Sequence, residues 1–340
     1  MNYPDSVEFL YALGNEYKSF KLGLEAISRL VEALGNPQRR FRVIHVAGTN
    51  GKGSTCALMD SSLRAAGYRT GLYTSPHLVE PTERIQVGGR AVSSEQFAAA
   101  FAVVHEVSEE LVRKGELPAH PTYFETVTAM GFVLFRDLDV DVAVVEVGLG
   151  GRLDATNVVE PELCVITPID FDHERWLGSS LEAIAGEKAG ILKTGVPAVF
   201  AAQRWEAERV LQAKAEELGC PVIRAQNIPC KVECVDAESN EITLDGVRLH
   251  VPFAGEHQIV NATTAFAALR HLGVPAQAIE KGFAQARWPG RLEVVSERPR
   301  VLLDGAHNPA GARVLAAHIR RFYHDRKRWI VYGAMRDKSV

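Results

Sequence analysis

Residues Val43-Ile44-His45-Val46-Ala47 pass directly into Gly48-Thr49-Asn50-Gly51-Lys52-Gly53-Ser54-Thr55, and no other feature narrows the fold so far. A buried strand that runs into a glycine-rich turn and then a helix gathers unpaired backbone N–H groups around the positive end of a helix dipole. Such a turn is an anion cradle. Lys52 adds a point charge, and Ser54 or Thr55 offers a hydroxyl to Mg²⁺. The spelling departs from the common G-x-x-x-x-G-K-[ST], because Val46 stands six places before Lys52 and Gly53 separates Lys52 from Ser54. The strand–turn–helix context favours a bound triphosphate over an ordinary tight turn.

Around this motif, short β-branched runs alternate with longer stretches of helical period, the pattern of a parallel sheet with crossover helices. Strands are expected at 43–47, 70–73, 142–147, 163–166, 198–201 and 222–224. Most are apolar without alternation, as strands covered on both faces are. Helices are expected at 22–34, 52–66, 94–114, 123–137, 181–193, 204–218, 261–272 and 275–286. Between Lys231 and Pro252 the pattern turns to alternation, broken at Glu238–Asn240 and at Asp245-Gly246. The latter is a two-residue hairpin signal, so this segment reads as a small antiparallel appendage.

Trp288-Pro289-Gly290-Arg291 reads as a hinge, which divides the chain into residues 1–287 and 288–340. Beyond it a strand (300–303), a helix (310–322) and a strand (329–332) are expected. A lone βαβ unit of that size has too little apolar surface to fold independently. The expectation is therefore that 288–340 is the beginning of a larger domain, cut short.

The length of 340 residues agrees with about two domains. A net charge of −4 excludes a strongly basic nucleic-acid binder and an acidic tail. No apolar run is long enough to span a membrane, and Asp5 and Glu8 stand where a signal peptide would carry Lys or Arg. A cytoplasmic protein, with neither nucleic acid nor membrane as a partner, is expected. The five cysteines are scattered and include no C-x-x-C, which argues against a disulfide framework or a zinc site. Cys230 and Cys234, at even spacing in a strand, are expected on one face, where packing accounts for them.

A phosphate cradle does not by itself distinguish kinase, motor, switch or ligase. Three polar clusters add information. Ser75 follows the second strand, at the end of a parallel sheet where ligands bind. Glu146 closes an apolar strand before Gly148, Gly150 and Gly151; a carboxylate buried there needs a cation, which makes it a metal-ligand candidate. Asp172 and His173 follow another strand, with His173 the second metal candidate, while Lys188 lies in a small-residue helical stretch where it would be half-buried and snorkel to solvent.

Taken together, Gly48–Ser54, Ser75–His77, Thr122–Glu125, Glu146–Asn157, Asp172-His173, Gly186–Gly190, Pro289–Arg291 and Asp304–Pro309 closely resemble the folylpolyglutamate synthase/dihydrofolate synthase family of the Mur ligase superfamily. The blocks stand in family order and cover nearly the whole chain. The resemblance implies an α/β fold: a P-loop ATPase domain with a mostly parallel sheet and a small antiparallel sheet, followed by the start of a Rossmann-like C-terminal domain. It assigns Gly48, Thr49, Asn50, Gly51, Lys52, Gly53 and Ser54 to ATP, with Asn261, Arg291 and Asp304 as further nucleotide contacts. Ser75, Glu146 and His173 match Mg²⁺ ligands. Lys188 matches a lysine that is carbamylated in relatives, able in that form to help position a second metal ion, and His307 matches a residue near the incoming amino acid. Thr122, Tyr123, Phe124, Glu125, Leu153, Asp154 and Ala155 match the pterin-side pocket, as more weakly do Leu22 and Gly23, next to a Lys21 that replaces an acid seen in some relatives.

The implied reaction is ATP-dependent addition of L-glutamate to folate or dihydropteroate through an acyl phosphate, by a monomer whose domains close to exclude water. The alternatives are another Mur-type ligase, acting on cell-wall precursors, and a nucleotide switch without ligase activity.

Overall fold

The computed structural model describes residues 1–14, 23–325 and 327–333. It begins with α1 (Tyr3–Ala12), α2 (Glu25–Ala33), β1 (Arg42–Ala47), α3 (Lys52–Ala65) and β2 (Thr70–Tyr73). Two short strands, β3 (Ile85–Val87) and β4 (Arg90–Ala91), precede α4 (Ser94–Arg113), α5 (Tyr123–Asp137), β5 (Val142–Glu146) and β6 (Leu163–Ile166). Next come α6 (Glu174–Leu177), α7 (Leu181–Ala189), β7 (Ala198–Phe200), α8 (Trp205–Glu217) and β8 (Val222–Arg224). The antiparallel strands β9 (Cys230–Val235), β10 (Asn240–Leu244) and β11 (Val247–Val251) lead into α9 (His257–His271) and α10 (Ala276–Gln285). The last elements are β12 (Glu293–Glu297), β13 (Arg300–Leu303) and α11 (Pro309–Phe322).

Eight strands form one sheet in the order β4-β3-β2-β5-β1-β6-β7-β8, parallel from β2 to β8. Its central strand explains the unbroken apolar runs. Ile44 and Val46 pack with Leu58, Phe266 and Phe283 on the face covered by α3, α9 and α10. Val43, Ala143 and Val145 pack on the other face with Phe132 and Phe135 of α5. Residues pointing either way are buried, and each such side chain contributes about 1.5–3 kcal/mol. The chain leaves β1 for β2 on one side and reaches β6 on the other, so the strand order reverses at β1 and opens a crevice beyond its carboxyl end.

The appendage forms as expected: Asp245 and Gly246 both take positive φ, +47° and +79°, in the tight turn joining β10 to β11. The sheet is longer than expected, and three expectations are corrected. The sheet continues beyond β2 into antiparallel β3 and β4, strands too short for a period to show. Residues 293–322 run ββα, because β12 pairs antiparallel with β13 across Arg298-Pro299. Residues Trp329–Tyr332 form no strand; they are exposed, and among the described residues no neighbouring strand lies beside them to share hydrogen bonds. Cys230 and Cys234 are both exposed, and a bulge at Glu233 shifts the register between them, so even spacing no longer places them on one face. Among the described residues no helix is long and apolar enough to cross a membrane.

Candidate active site

The carboxyl ends of the parallel strands open on a cleft of about 740 Å³. β1 delivers the cradle. Gly51 takes a φ of +84° as it caps α3, and a Cβ there would lie 2.0 Å from Asn261 Oδ1; one on Gly53 would lie 2.3 Å from the Trp288 ring. The glycines are therefore required by the close approach of α9 and the Trp288 ring as much as by backbone geometry. Gln258 Nε2 donates to Ser54 Oγ at 3.3 Å, and its Oε1 accepts from Asn261 Nδ2 at 2.9 Å, tying α9 to the turn. Lys52 Nζ donates to the Gly48 and Thr49 carbonyls at 3.2 and 3.3 Å.

Glu146 is the last residue of β5, in register with Val46. It is buried and accepts from the Ser75 backbone N–H at 3.4 Å. Burial pushes its carboxyl up to about 7, against the lowering pull of Lys52 and the Ser75 amide. After β6, Thr49 Oγ1 donates to the Asp170 carbonyl at 3.0 Å, and His173 takes a left-handed φ of +51° to begin α6. Its ring lines the same cleft. Lys188 departs from its expected half-exposure. It is only 4% exposed, and its Nζ turns inward to donate to the Gly48 carbonyl at 2.7 Å, because α7 packs directly against the cradle.

Residues 291–292 and 304–307 close the far wall. Asp304 accepts from the Leu292 and Ala306 amides at 2.9 and 2.8 Å, and Arg291 Nη1 donates to the Gly290 carbonyl at 2.9 Å. His307 Nδ1 donates to the Gly305 carbonyl at 2.7 Å, which leaves Nε2 3.4 Å from Asp172 Oδ2. Asn308 Nδ2 donates to Asn50 Oδ1 and to Asp172 Oδ2, both at 3.0 Å.

The expected pterin-side residues divide. Thr122 and Glu125 form a capping box at the start of α5, and Tyr123 is buried beneath the Arg84 guanidinium, 5.3 Å from the ring centroid. Of these four, only Phe124 lines the cleft, pressed against Gly148. Asp154 also lines it, accepting from the Leu149 amide at 2.8 Å and from Thr156 Oγ1 at 2.5 Å. Thr156 Oγ1 in turn contacts Nε2 of His45, 2.9 Å away, whose complete burial lowers its pKa to about 3. Leu153, Ala155 and Gly23 are not on the cleft wall, and Leu22 lies outside the described residues. All the other expected site residues line the one cleft: Gly48–Ser54, Ser75, Glu146, His173, Lys188, Asn261, Arg291, Asp304 and His307.

Comparison with known proteins gives this arrangement a family. The profile described as Mur ligase middle domain matches residues 46–269, and that described as Mur ligase, glutamate ligase domain matches residues 290–340. A dihydrofolate synthase/folylpolyglutamate synthase of Bacillus subtilis is 38% identical over 334 residues, covering 94% of this chain and 76% of that protein. The chain is a Mur ligase of the folylpolyglutamate/dihydrofolate synthase family. The Escherichia coli protein of the same description is 38% identical, covering 95% of the ligase and 74% of itself. Among solved structures, Mycobacterium tuberculosis folylpolyglutamate synthase complexed with ADP and AMPPCP superposes with a TM-score of 0.85 at 37% identity, covering 94% of the ligase and 74% of that chain. A Thermotoga maritima folylpolyglutamate synthase does so with a TM-score of 0.85 at 36% identity, covering 95% and 76%.

Three residues that touch the glycine-rich cradle of the ligase carried no sequence signal of their own. Gln258 is a single polar residue ahead of an alanine-rich helix, Trp288 reads as part of a turn, and Asn308 lies inside a recognised block without a part assigned to it. Each works through a partner far away in sequence.

Proposed function

We infer that the protein is an ATP-dependent amide ligase that adds L-glutamate to a folate, extending a tetrahydrofolyl-polyglutamate or converting dihydropteroate to dihydrofolate. The observation that carries this reading is the meeting, in one cleft, of the Gly48–Ser54 cradle, the buried Glu146 and the Asp304–His307 segment from beyond the hinge. A switch needs only the first of these. A ligase must hold a nucleotide, an acid and an amine together.

A carboxylate is a poor electrophile, so the γ-phosphoryl of ATP passes first to the folate or pteroate carboxylate, giving an acyl phosphate and ADP. The glutamate amine then attacks the acyl carbon, and phosphate leaves with the formation of the amide. The cradle amides and Lys52 stabilise charge spreading over the transferred phosphoryl. Asn261, Arg291 and Asp304 contact the nucleotide, and His307 stands on the glutamate side. Phe124 and Asp154 face the pterin side, with Gly23, Thr122, Tyr123, Glu125, Leu153 and Ala155 supporting it and Leu22 belonging to the same group.

The donor set fits a divalent cation. Ser75 and Glu146 offer hard oxygens and His173 an imidazole, and a carboxyl held near 7 by burial is one that a cation would restore to the charged form. Mg²⁺ held by these three would neutralise phosphate charge. Lys188, carbamylated, would present a carboxylate beside Gly48 to help hold a second ion. Residues 1–287 and 288–340 act as two units about Pro289-Gly290, their closure excluding water from the acyl phosphate. The five free cysteines and the need for ATP suit the reducing cytoplasm, with small molecules as the partners of a monomer.

The test is ADP release measured with ATP and Mg²⁺ in the presence and absence of L-glutamate and either dihydropteroate or tetrahydrofolate, with mass spectrometry of the product. Turnover that depends on both substrates, with addition of glutamyl residues, is expected. ADP release indifferent to both would leave a nucleotide switch.

A further inference from the structure

Away from the cleft, on the sheet face covered by α4 and α5, two imidazoles and a carboxylate converge. His105 and Glu109 lie one turn apart on α4, and His120 stands in the connection just before the Thr122 cap of α5. One ligand atom from each of the three lies within 4.8 Å of the others. Both imidazoles present Nε2 to the same oxygen: Glu109 Oε1 is 3.7 Å from His105 and 3.1 Å from His120.

Ligands of a tetrahedral zinc site, bound at 2.0–2.2 Å, stand about 3.3 Å from one another. The two distances to Glu109 Oε1 bracket that value, and the third separation is within 4.8 Å. The rings are also held in place: His105 stacks on Phe101 with centroids 5.3 Å apart, and Phe9 meets His105 and His120 edge-on at 4.6 and 5.9 Å. Packing of this kind fixes the rotamers that a metal site needs before the ion arrives. Glu109, 55% exposed, leaves an open side through which an ion enters and water completes the coordination.

We propose that His105, Glu109 and His120 form a binding site for a borderline transition-metal ion such as Zn²⁺, separate from the nucleotide cleft. Two imidazoles and one carboxylate select such ions over Mg²⁺ or Ca²⁺, which take oxygen ligands. The ion would staple the α4–α5 connection to α4. Three residues after His120 the chain reaches Tyr123, and the next residue is Phe124 on the cleft wall, so the staple steadies the start of the helix that carries it.

Co²⁺ is the probe, titrated into chelator-treated protein in millimolar Mg²⁺ so that the oxygen-rich cleft is not its preferred site. Expected are one equivalent bound with visible d–d absorption and, in parallel, a rise in melting temperature on adding Zn²⁺. Both are expected to disappear in His120→Gln and in Glu109→Gln, which retain ligase activity. His105→Ala is the less informative variant because it also removes packing against Phe9 and Phe101. Absence of Co²⁺ absorption in the wild type, or the same absorption in His120→Gln, overturns the proposal.

Discussion

The side-chain amide of Asn308, at the start of α11, lies 3.0 Å from Asn50 Oδ1 in the phosphate cradle, 258 positions earlier in the chain. The same Nδ2 also reaches Asp172 Oδ2, while Asn308 Oδ1 accepts from the Gly311 amide as the helix cap. One buried side chain thus joins the start of α11 to both the cradle and the loop after β6. Replacement by Asp preserves the cap but removes the donor and sets a second carboxylate against Asp172. Loss of a buried hydrogen bond of this kind costs about 1–3 kcal/mol. Asn308→Asp is expected to lower kcat/KM for ATP at least tenfold and to lower the melting temperature by a few degrees, and Asn308→Ala, which also loses the cap, lowers both as well. Steady-state kinetics beside thermal melts of the two variants decide it. Equal ATP kinetics in Asn308→Asp and wild type would show the bridge to be without consequence.

Lys52 Nζ donates to the cradle carbonyls of Gly48 and Thr49. Its removal leaves the core untouched but takes away a point charge from the developing phosphoryl charge. Lys52→Ala is therefore expected to lose roughly 10²–10³ in kcat, the size of a transition-state contact, while its circular-dichroism melt stays close to that of the wild type. Retention of most of the activity would remove Lys52 from the chemistry.

The limits of sequence reading follow from range. The cradle was legible because its working parts, from Gly48 to Ser54, are contiguous and carry their own strand and helix. Gln258 reaches Ser54 across 204 positions, and no local pattern announces a pairing at that distance. β3 and β4, of three and two residues, are shorter than one observable period, whereas Thr70–Tyr73 and Leu163–Ile166 stood out because both faces are buried. Thr122–Glu125 was legible as a block, but its spacing also spells the capping box that the structure forms, so the motif alone could not separate a pocket from a helix start.

Glu146 gives a pH dependence with a definite sign. Its folded pKa of about 7 lies above the ordinary 4.5, so between those values the native state retains a proton that the unfolded chain releases. Stability therefore falls as pH rises through this window. In chelator, Glu146→Gln is expected to be more stable than wild type at pH 8, by on the order of 2–3 kcal/mol, and nearly equal to it at pH 4.5. The same variant is expected to lose Mg²⁺-dependent turnover. Denaturant titrations at the two pH values test the first claim and a Mg²⁺ titration of activity the second. An unchanged Mg²⁺ profile would remove Glu146 from the metal site.

Gly282 shows how the helix that carries the cradle is held. It lies inside α10, where a Cβ would stand 2.3 Å from Ser62 Cα and 2.5 Å from Ser62 N on α3. Gly186, on the exposed side of α7, has nothing within 4 Å of its Cβ position. Helix propensity favours alanine at both sites by about 1 kcal/mol. At Gly186 that preference acts alone, and Gly186→Ala is expected to raise the melting temperature slightly. At Gly282 the overlap is with backbone, which no rotamer change relieves, so the helices must part; Gly282→Ala is expected to be destabilised by about 1–3 kcal/mol. Because α3 begins at Lys52, its displacement is also expected to raise KM for ATP. A melting temperature that rises in both variants would mean that α3 and α10 are not in the close contact described.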